Sequence, residues 1–440
     1  MTIGNVIAQE EPKIIEIIQA GGSTQDQFNF PGANILIKKE GVRVHLLHEG
    51  ALIKSDISYF YPKRNFFKAI GDIVFTQGDS LKMTCDKIEY NGTSKMAKAF
   101  GNVVLERPDM NLKTDTLYLD RSNSKAFYNS FGTIVDEKRK LTSIRGIYFM
   151  NEKKYRFISR VKIDDPEYEL KSQRLDYYTE TDKAFFYGKT TITGKEYDIY
   201  CEKGAYDTQS QKGNFQENAV IFYNNKEIRG DSLYFENEKN YAAATNNISI
   251  IDTLNKSVIN GHYGEIFKIK DSAIITRRAM AINIIDLDSL YIHADTLIAT
   301  GPHEKKILRG YYDVRIFKTD LRGKSDSLHL DQSTGLIKLL KLPLNRKEEQ
   351  IFTASQKNAK NPVLWFGKSQ MSGDKIFLTS DMKTKKLDSL KILGNSWIIE
   401  KDSISDTGFN QIKGGILHGS FEEGKLREIE VSKNTEVIYY

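Results

Sequence analysis

LKMTCDKIEYNGTSKMAKAFGNVVL, residues 81–105, is the stretch whose pattern decides the fold. In its first half Asp86, Ile88 and Tyr90 alternate with Lys87 and Glu89; in its second, Ala99, Gly101, Val103 and Leu105 fall on one face, and Asn102 and the next residue after the stretch, Glu106, on the other. A period of two marks a strand with one face turned inward. Asn91-Gly92-Thr93-Ser94 between the halves has the composition of a hairpin turn. The unit is therefore strand, polar turn, strand. LIKSDISYFYPKRNFFKAIGDIVF, residues 52–75, and LKTDTLYLDRSNSKAFYNSFGTIV, residues 112–135, match it almost position for position.

Working outward, the apolar anchor after the Asp recurs as Ile57, Ile88, Leu117, Ile147, Leu175, Ala205, Leu233, Ile266, Leu297, Leu328, Ile376 and Ile416. Nine of the eleven intervals lie between 28 and 33 residues, which scattered apolar residues would not produce. Hairpin joins make neighbouring strands antiparallel, since a parallel neighbour needs a crossover of a dozen or more residues. One hairpin is marginal in water, so stability must come from stacking units over a shared apolar interior. The expectation is an all-β chain, a repetitive antiparallel folded-over sheet of about twelve two-strand repeats of roughly thirty residues. Residues 1–31 read as an N-terminal segment, 32–250 as a first module and 251–440 as a second. The two long intervals near the end enclose residues 346–362, polar and charged, read as a loop insertion and a candidate boundary or flap.

Composition narrows function. Charged residues make up 28%, with signs interspersed and a net charge of +6, which resembles a solvated surface and not a nucleic-acid tail, so no nucleic-acid partner is expected. Cys85 and Cys201 lie four repeats apart and are expected as free, mostly buried thiols. No apolar run approaches the length that crosses a bilayer as a helix. Residues 1–10, MTIGNVIAQE, resemble either the end of a secretory signal, implying export, or an ordinary frayed terminus.

Chemistry is sought without success. His45, His48, His262, His293, His303, His329 and His418 have no zinc-site spacing. Gly188-Lys189-Thr190 and Gly323-Lys324-Ser325 lack the earlier glycine of a phosphate loop, Lys183 and Lys318 standing there instead. The Asp at positions 56, 86, 115, 231, 295, 326 and 374 recurs once per repeat, which points to hydrogen bonding at a neighbouring turn or to solvent, not to one catalytic pair. Neither catalysis nor a metal nor a cofactor is expected.

The cadence Ala/aromatic, Gly-Asn/Asp, hydrophobic-x-hydrophobic, turn, Asp-x-hydrophobic-x-Tyr/Leu is carried by residues 69–75, 99–105, 86–90, 115–119 and 231–235. It resembles the OstA family of lipopolysaccharide-transport proteins, which includes the periplasmic bridge protein and the periplasmic N-terminal part of the outer-membrane translocon subunit. In its number of units the chain is similar to the long OstA-like proteins of Bacteroidetes. The resemblance implies a β-taco, or β-jellyroll slide, in the periplasm or at the outer membrane, whose apolar inside shelters the lipid A acyl chains of lipopolysaccharide. It also implies end-to-end strand augmentation with other transport proteins, for which the last strand, residues 435–440, is a candidate edge unless the chain is a fragment cut there. Ile73, Phe75, Ile88, Tyr90, Val103, Leu105, Leu117, Leu119, Leu233 and Phe235 would line the lipid groove. Basic residues at its rim would meet phosphates. From the residues alone, the same stripes equally describe the filled core of a β-solenoid scaffold or adhesin.

Overall fold

The structure is a computed structural model describing residues 14–439 except 80, 109, 224, 255, 284–288, 303–304, 345, 352, 354–359, 385 and 403–407. Residues 1–10, with their signal-like reading, lie outside the described residues. By contacts the chain divides into two units, Met1–Gln209 and Ser210–Tyr440, ahead of the division at 250/251 drawn from the repeats.

In the first unit every strand pairing described is antiparallel, and the long strands carry a bulge at their middle. Strand Phe66–Gln77 pairs with Leu81–Asn91 through Ile70↔Lys87 and then Ile73↔Cys85, so Gly71 and Asp72 oppose Asp86 alone. Strand Met96–Arg107 does the same at Gly101 and Asn102, with φ of 70° and 47°. Two successive left-handed residues turn the strand through a corner. Gly and Asn enter that region at little cost, which is the physical meaning of the Gly-Asn/Asp cadence. At Gly101 a Cβ would lie 2.4 Å from Asp86 Oδ2, so the glycine also admits the aspartate over the corner. The side chain there accepts from Asn102 Nδ2 at 2.9 Å, and Arg43 Nε donates to Asp56 Oδ1 at 3.0 Å. The recurring Asp is thus a corner clamp. Other corners use less accommodating pairs, Ser159-Arg160 among them, held by the ladder on both sides.

Each corner separates two arms of sheet that face one another, hairpin turns alternating between the arm tips. The first arm carries two inward rows. The one beside the corner is Ala69, Ile88, Ala99, Leu117, Tyr128, Gly146, Phe157, Leu175, Phe186 and Gly204; the one nearer the tips is Phe67, Tyr90, Ala97, Leu119, Ala126, Tyr148, Tyr155, Tyr177, Ala184 and Tyr206. On the second arm, Phe75, Met83, Leu105, Leu112, Ile134, Leu141, Ile163, Leu170, Ile192 and Ile199 form one row by the same register. These rows are the core.

The anchors chosen from sequence slip in places. Ile57 is 37% exposed, and Ile147 and Ala205 lie beside Gly146 and Gly204, which hold the inward positions. At Ile57 the inward neighbour is Ser58. A one-residue slip turns a strand's face over, and here small inward residues hid the true row.

The second unit, taken by itself, repeats the scheme. Strands Tyr241–Asp252, Ser272–Asn283 and Ile307–Lys318 bend at Asn246-Asn247, Arg277-Arg278 and Tyr312-Asp313, all with positive φ. Asp231 accepts from Asn247 Nδ2 at 3.1 Å and Asp374 from Asn395 Nδ2 at 3.2 Å, the same clamp. Residues 346–362, read as a loop insertion and a candidate boundary or flap, begin with a helix, Arg346–Ile351. The strands on either side of them meet at a corner: Leu336–Leu340 pairs with Lys375–Ser380, while Leu321–Asp331 pairs both with Leu336–Leu340 and with Val363–Phe366. Leu328, Leu339 and Ile376 are therefore direct neighbours in one inward row, and the long interval is an excursion within a repeat. Ile416 yields the inward position to Leu417, which is fully buried.

Candidate functional site

Within each unit, taken by itself, the face shared by the two arms is built of apolar residues on neighbouring strands. All ten residues singled out as groove-lining point into it: Ile73, Phe75, Val103 and Leu105 from the second arm, Ile88, Tyr90, Leu117 and Leu119 from the first, and Leu233 and Phe235 in the second unit. None is more than 8% exposed. Where these residues stand, the arms pack against each other.

Sequence reading missed the side chains that join the arms. Tyr128, on the first arm, reaches across so that its hydroxyl donates to Ser143 Oγ on the second at 2.7 Å, while Ser143 donates to Arg145 O at 3.0 Å. Burial pushes the Tyr128 phenol up to about 12, so it stays a neutral donor. Tyr168 of the second arm meets Tyr206 of the first edge to face, centroids 5.6 Å apart. The signal available in sequence was the recurrence of Tyr and Phe at inward positions, which an aliphatic template underweights.

At the arm tips the closure is polar. His48 Nδ1 lies 2.7 Å from Tyr90 Oη across the mouth; Arg121 donates to that hydroxyl at 3.0 Å and to Glu49 O at 3.1 Å, and Lys95 pairs with Glu49 at 2.9 Å. The Lys95 hydrogen bond, outweighing burial, holds the Glu49 carboxyl below its ordinary value. Farther along, Arg139 spans from the hairpin of Gly132–Val135 and Lys140–Ser143 to Thr208 Oγ1 at 3.0 Å, with Asp136 Oδ2 accepting from its Nε at 3.2 Å. Burial works against the Arg139 charge, but Tyr177, Asp136 and Tyr168 outweigh it and hold its pKa above the ordinary value. In the second unit Lys226 and Lys306 approach Asp271 at 3.6 and 3.8 Å.

Between these latches the arms do not everywhere touch. Beneath Arg139 lies a gap of 220 Å³ reached by Met110, Ile134, Leu141, Tyr155, Phe157 and Ile163, and a smaller void of 30 Å³ shares Met110, Ile134, Tyr155 and Phe157 with it. A void of 50 Å³ lies between the arms of the second unit near Tyr223, Ile250 and Ile266. Neighbouring gaps on a shared apolar wall, under a polar rim, suit an extended apolar guest better than a compact polar one.

Cys85 and Cys201 are buried free thiols, each pushed up to about 12 by burial. Among the described residues no group of three His, Cys, Asp or Glu side chains is placed to hold a metal, and no helix is long and apolar enough to cross a membrane. Gly188 serves as a corner residue and Gly323 as part of strand Leu321–Asp331, neither in a phosphate loop. Asn91 accepts from the amides of Thr93 and Ser94, as its turn role requires.

Residues 15–173 match the family model described as OstA-like protein. Among solved structures, the chain is similar to LptH of Pseudomonas aeruginosa, described as the LptA-homologous periplasmic component of the conserved lipopolysaccharide transport device. That match is 16% identical, covers 22% of this chain and 76% of that one, and has a TM-score of 0.21. No curated protein matches the chain.

Proposed function

We propose that this OstA-like chain is a lipid-binding protein of lipopolysaccharide transport, working in the periplasm or at the outer membrane, that holds the acyl chains of lipopolysaccharide between its two arms. The observation that carries the reading is the pair of facing apolar rows with gaps between them under a polar rim. The OstA-like match over residues 15–173 supports the same class. Apolar side chains replace water around an acyl chain, which is worth about 0.8 kcal/mol per methylene buried. The chain's role is carriage, not catalysis. End-to-end strand addition with other transport proteins belongs to the same reading.

A second reading, a scaffold with a filled core, is favoured by the close packing around the ten groove residues. Mass spectrometry under native conditions on chain purified from its own envelope separates the two. The transport reading expects a population heavier than the 50.3 kDa chain by the mass of a glycolipid, recovered on extraction with organic solvent. A lipid-free mass in every preparation contradicts it and supports the scaffold.

A further inference from the structure

We infer that the gap beneath Arg139 is a site for one unbranched alkyl chain, and that it does not read the chain's headgroup. The inference rests on the lipid-binding reading above and narrows it to one place and one chemical class. A cavity of ~150 Å³ walled by apolar side chains binds benzene, or about 25 Å³ per carbon, so a gap of 220 Å³ takes about nine carbons.

Three observations mark the gap as built into the fold. Ile134 and Leu141 stand in the same inward row as Leu105, Leu112, Ile163 and Leu170, yet those four are at most 6% exposed while Ile134 and Leu141 remain half-buried. The cause is legible in the hairpin itself. At the arm tip, where neighbouring strands set Met110 and Tyr168 inward, this hairpin closes with Asp136 and Arg139, which bond to each other at the rim and leave the space below them unfilled. The arms also close again nearby: the Tyr168 and Tyr206 rings meet between them, centroids 5.6 Å apart.

The rim explains the indifference to headgroup. Arg139 is the cation lining the gap, and its charge is already matched by Asp136. Asp182, on the same rim, accepts from Tyr177 Oη at 2.5 Å. A carboxylate or phosphate brought here meets one engaged guanidinium and two carboxylates, so it gains nothing over a hydroxyl. Arg139 is thus a cover that spans to Thr208, and the apolar floor supplies the affinity.

Calorimetric titration of the full chain with 1-decanol and with decanoate tests this. Wild type is expected to bind both within about threefold of each other, Leu141→Trp to lose both by more than about tenfold because the indole fills the gap, and Arg139→Ala to keep decanol within about threefold. Melting curves check that the filled variant folds, and Ile134→Phe fills the same gap should Leu141→Trp not fold. The inference is overturned if wild type takes up no decanol, if folded filling variants bind it undiminished, or if decanoate binds far tighter than decanol and loses that advantage in Arg139→Ala. Glycolipid retained from the envelope with no decanol binding sinks this inference alone; absence of both sinks the transport reading with it.

Discussion

Phe186→Ala is expected to destabilise the first unit by about 3–5 kcal/mol, whereas Phe185→Ala, one residue earlier, costs about 1 kcal/mol. Both are phenylalanines in strand Lys183–Gly194, so propensity and unfolded-state terms are nearly shared. Phe186 is fully buried in the inward row between Leu175 and Gly204, and removing its ring leaves a cavity that the stiff paired arms cannot collapse into. Phe185 lies on the outer face, half-buried, edge to face with Tyr178 at 5.6 Å. Urea unfolding of the full chain reads the difference as a shift in the transition assigned to the first unit. Because each repeat contacts chiefly its neighbours, the loss should be felt locally before it is felt by the whole array. Equal effects for the two variants would mean that the face assignment is wrong.

Gly146→Val is expected to cost about 3 kcal/mol or more, from overpacking together with the loss of a buried hydrogen bond. Even a Cβ at residue 146 would lie 2.4 Å from Tyr128 Cε1 and 2.6 Å from its hydroxyl oxygen. Tyr128 also lies against Gly132, where a Cβ would come within 2.4 Å of its Cζ, so the ring has nowhere to retreat and the Ser143 bond must break. Tyr128→Phe, which removes only the hydroxyl, is expected to cost about 1 kcal/mol, because Ser143 keeps its bond to Arg145 O. Thermal melting of the two variants side by side checks the ordering. A Gly146→Val protein as stable as Tyr128→Phe would show that the arms are not fastened through this tyrosine.

Much of the architecture was legible in residues 81–105, because three independent signals agree there: period-two alternation, an Asn-Gly turn and a thirty-residue recurrence. The corner was present in the sequence as Gly101-Asn102 opposite Asp86, but alternation alone cannot tell a straight strand from one that bends and keeps the same residues inward on both sides. Where the inward position is Ser58, Gly146 or Gly204, hydrophobicity misleads, because the small residue makes room for a large one on a neighbouring strand, as Gly146 does for Tyr128. The excursion at residues 346–362 looked like a break between repeats because spacing along the chain does not reveal that Leu339 and Ile376 are paired. The gap under Arg139 had no sequence signature of its own. It follows from two polar residues at an arm tip, which in one dimension are indistinguishable from any polar turn.

The most direct test of the account is photo-crosslinking in cells with the probe residue at Leu141, Val103 and Leu233 on the inward face and at Asn102 on the exposed corner. The account predicts lipopolysaccharide adducts at the three inward sites and none at Asn102. Well-expressed protein with no adduct at any inward site, or with adducts only at Asn102, would contradict a lipid path between the arms and leave a filled scaffold as the better description.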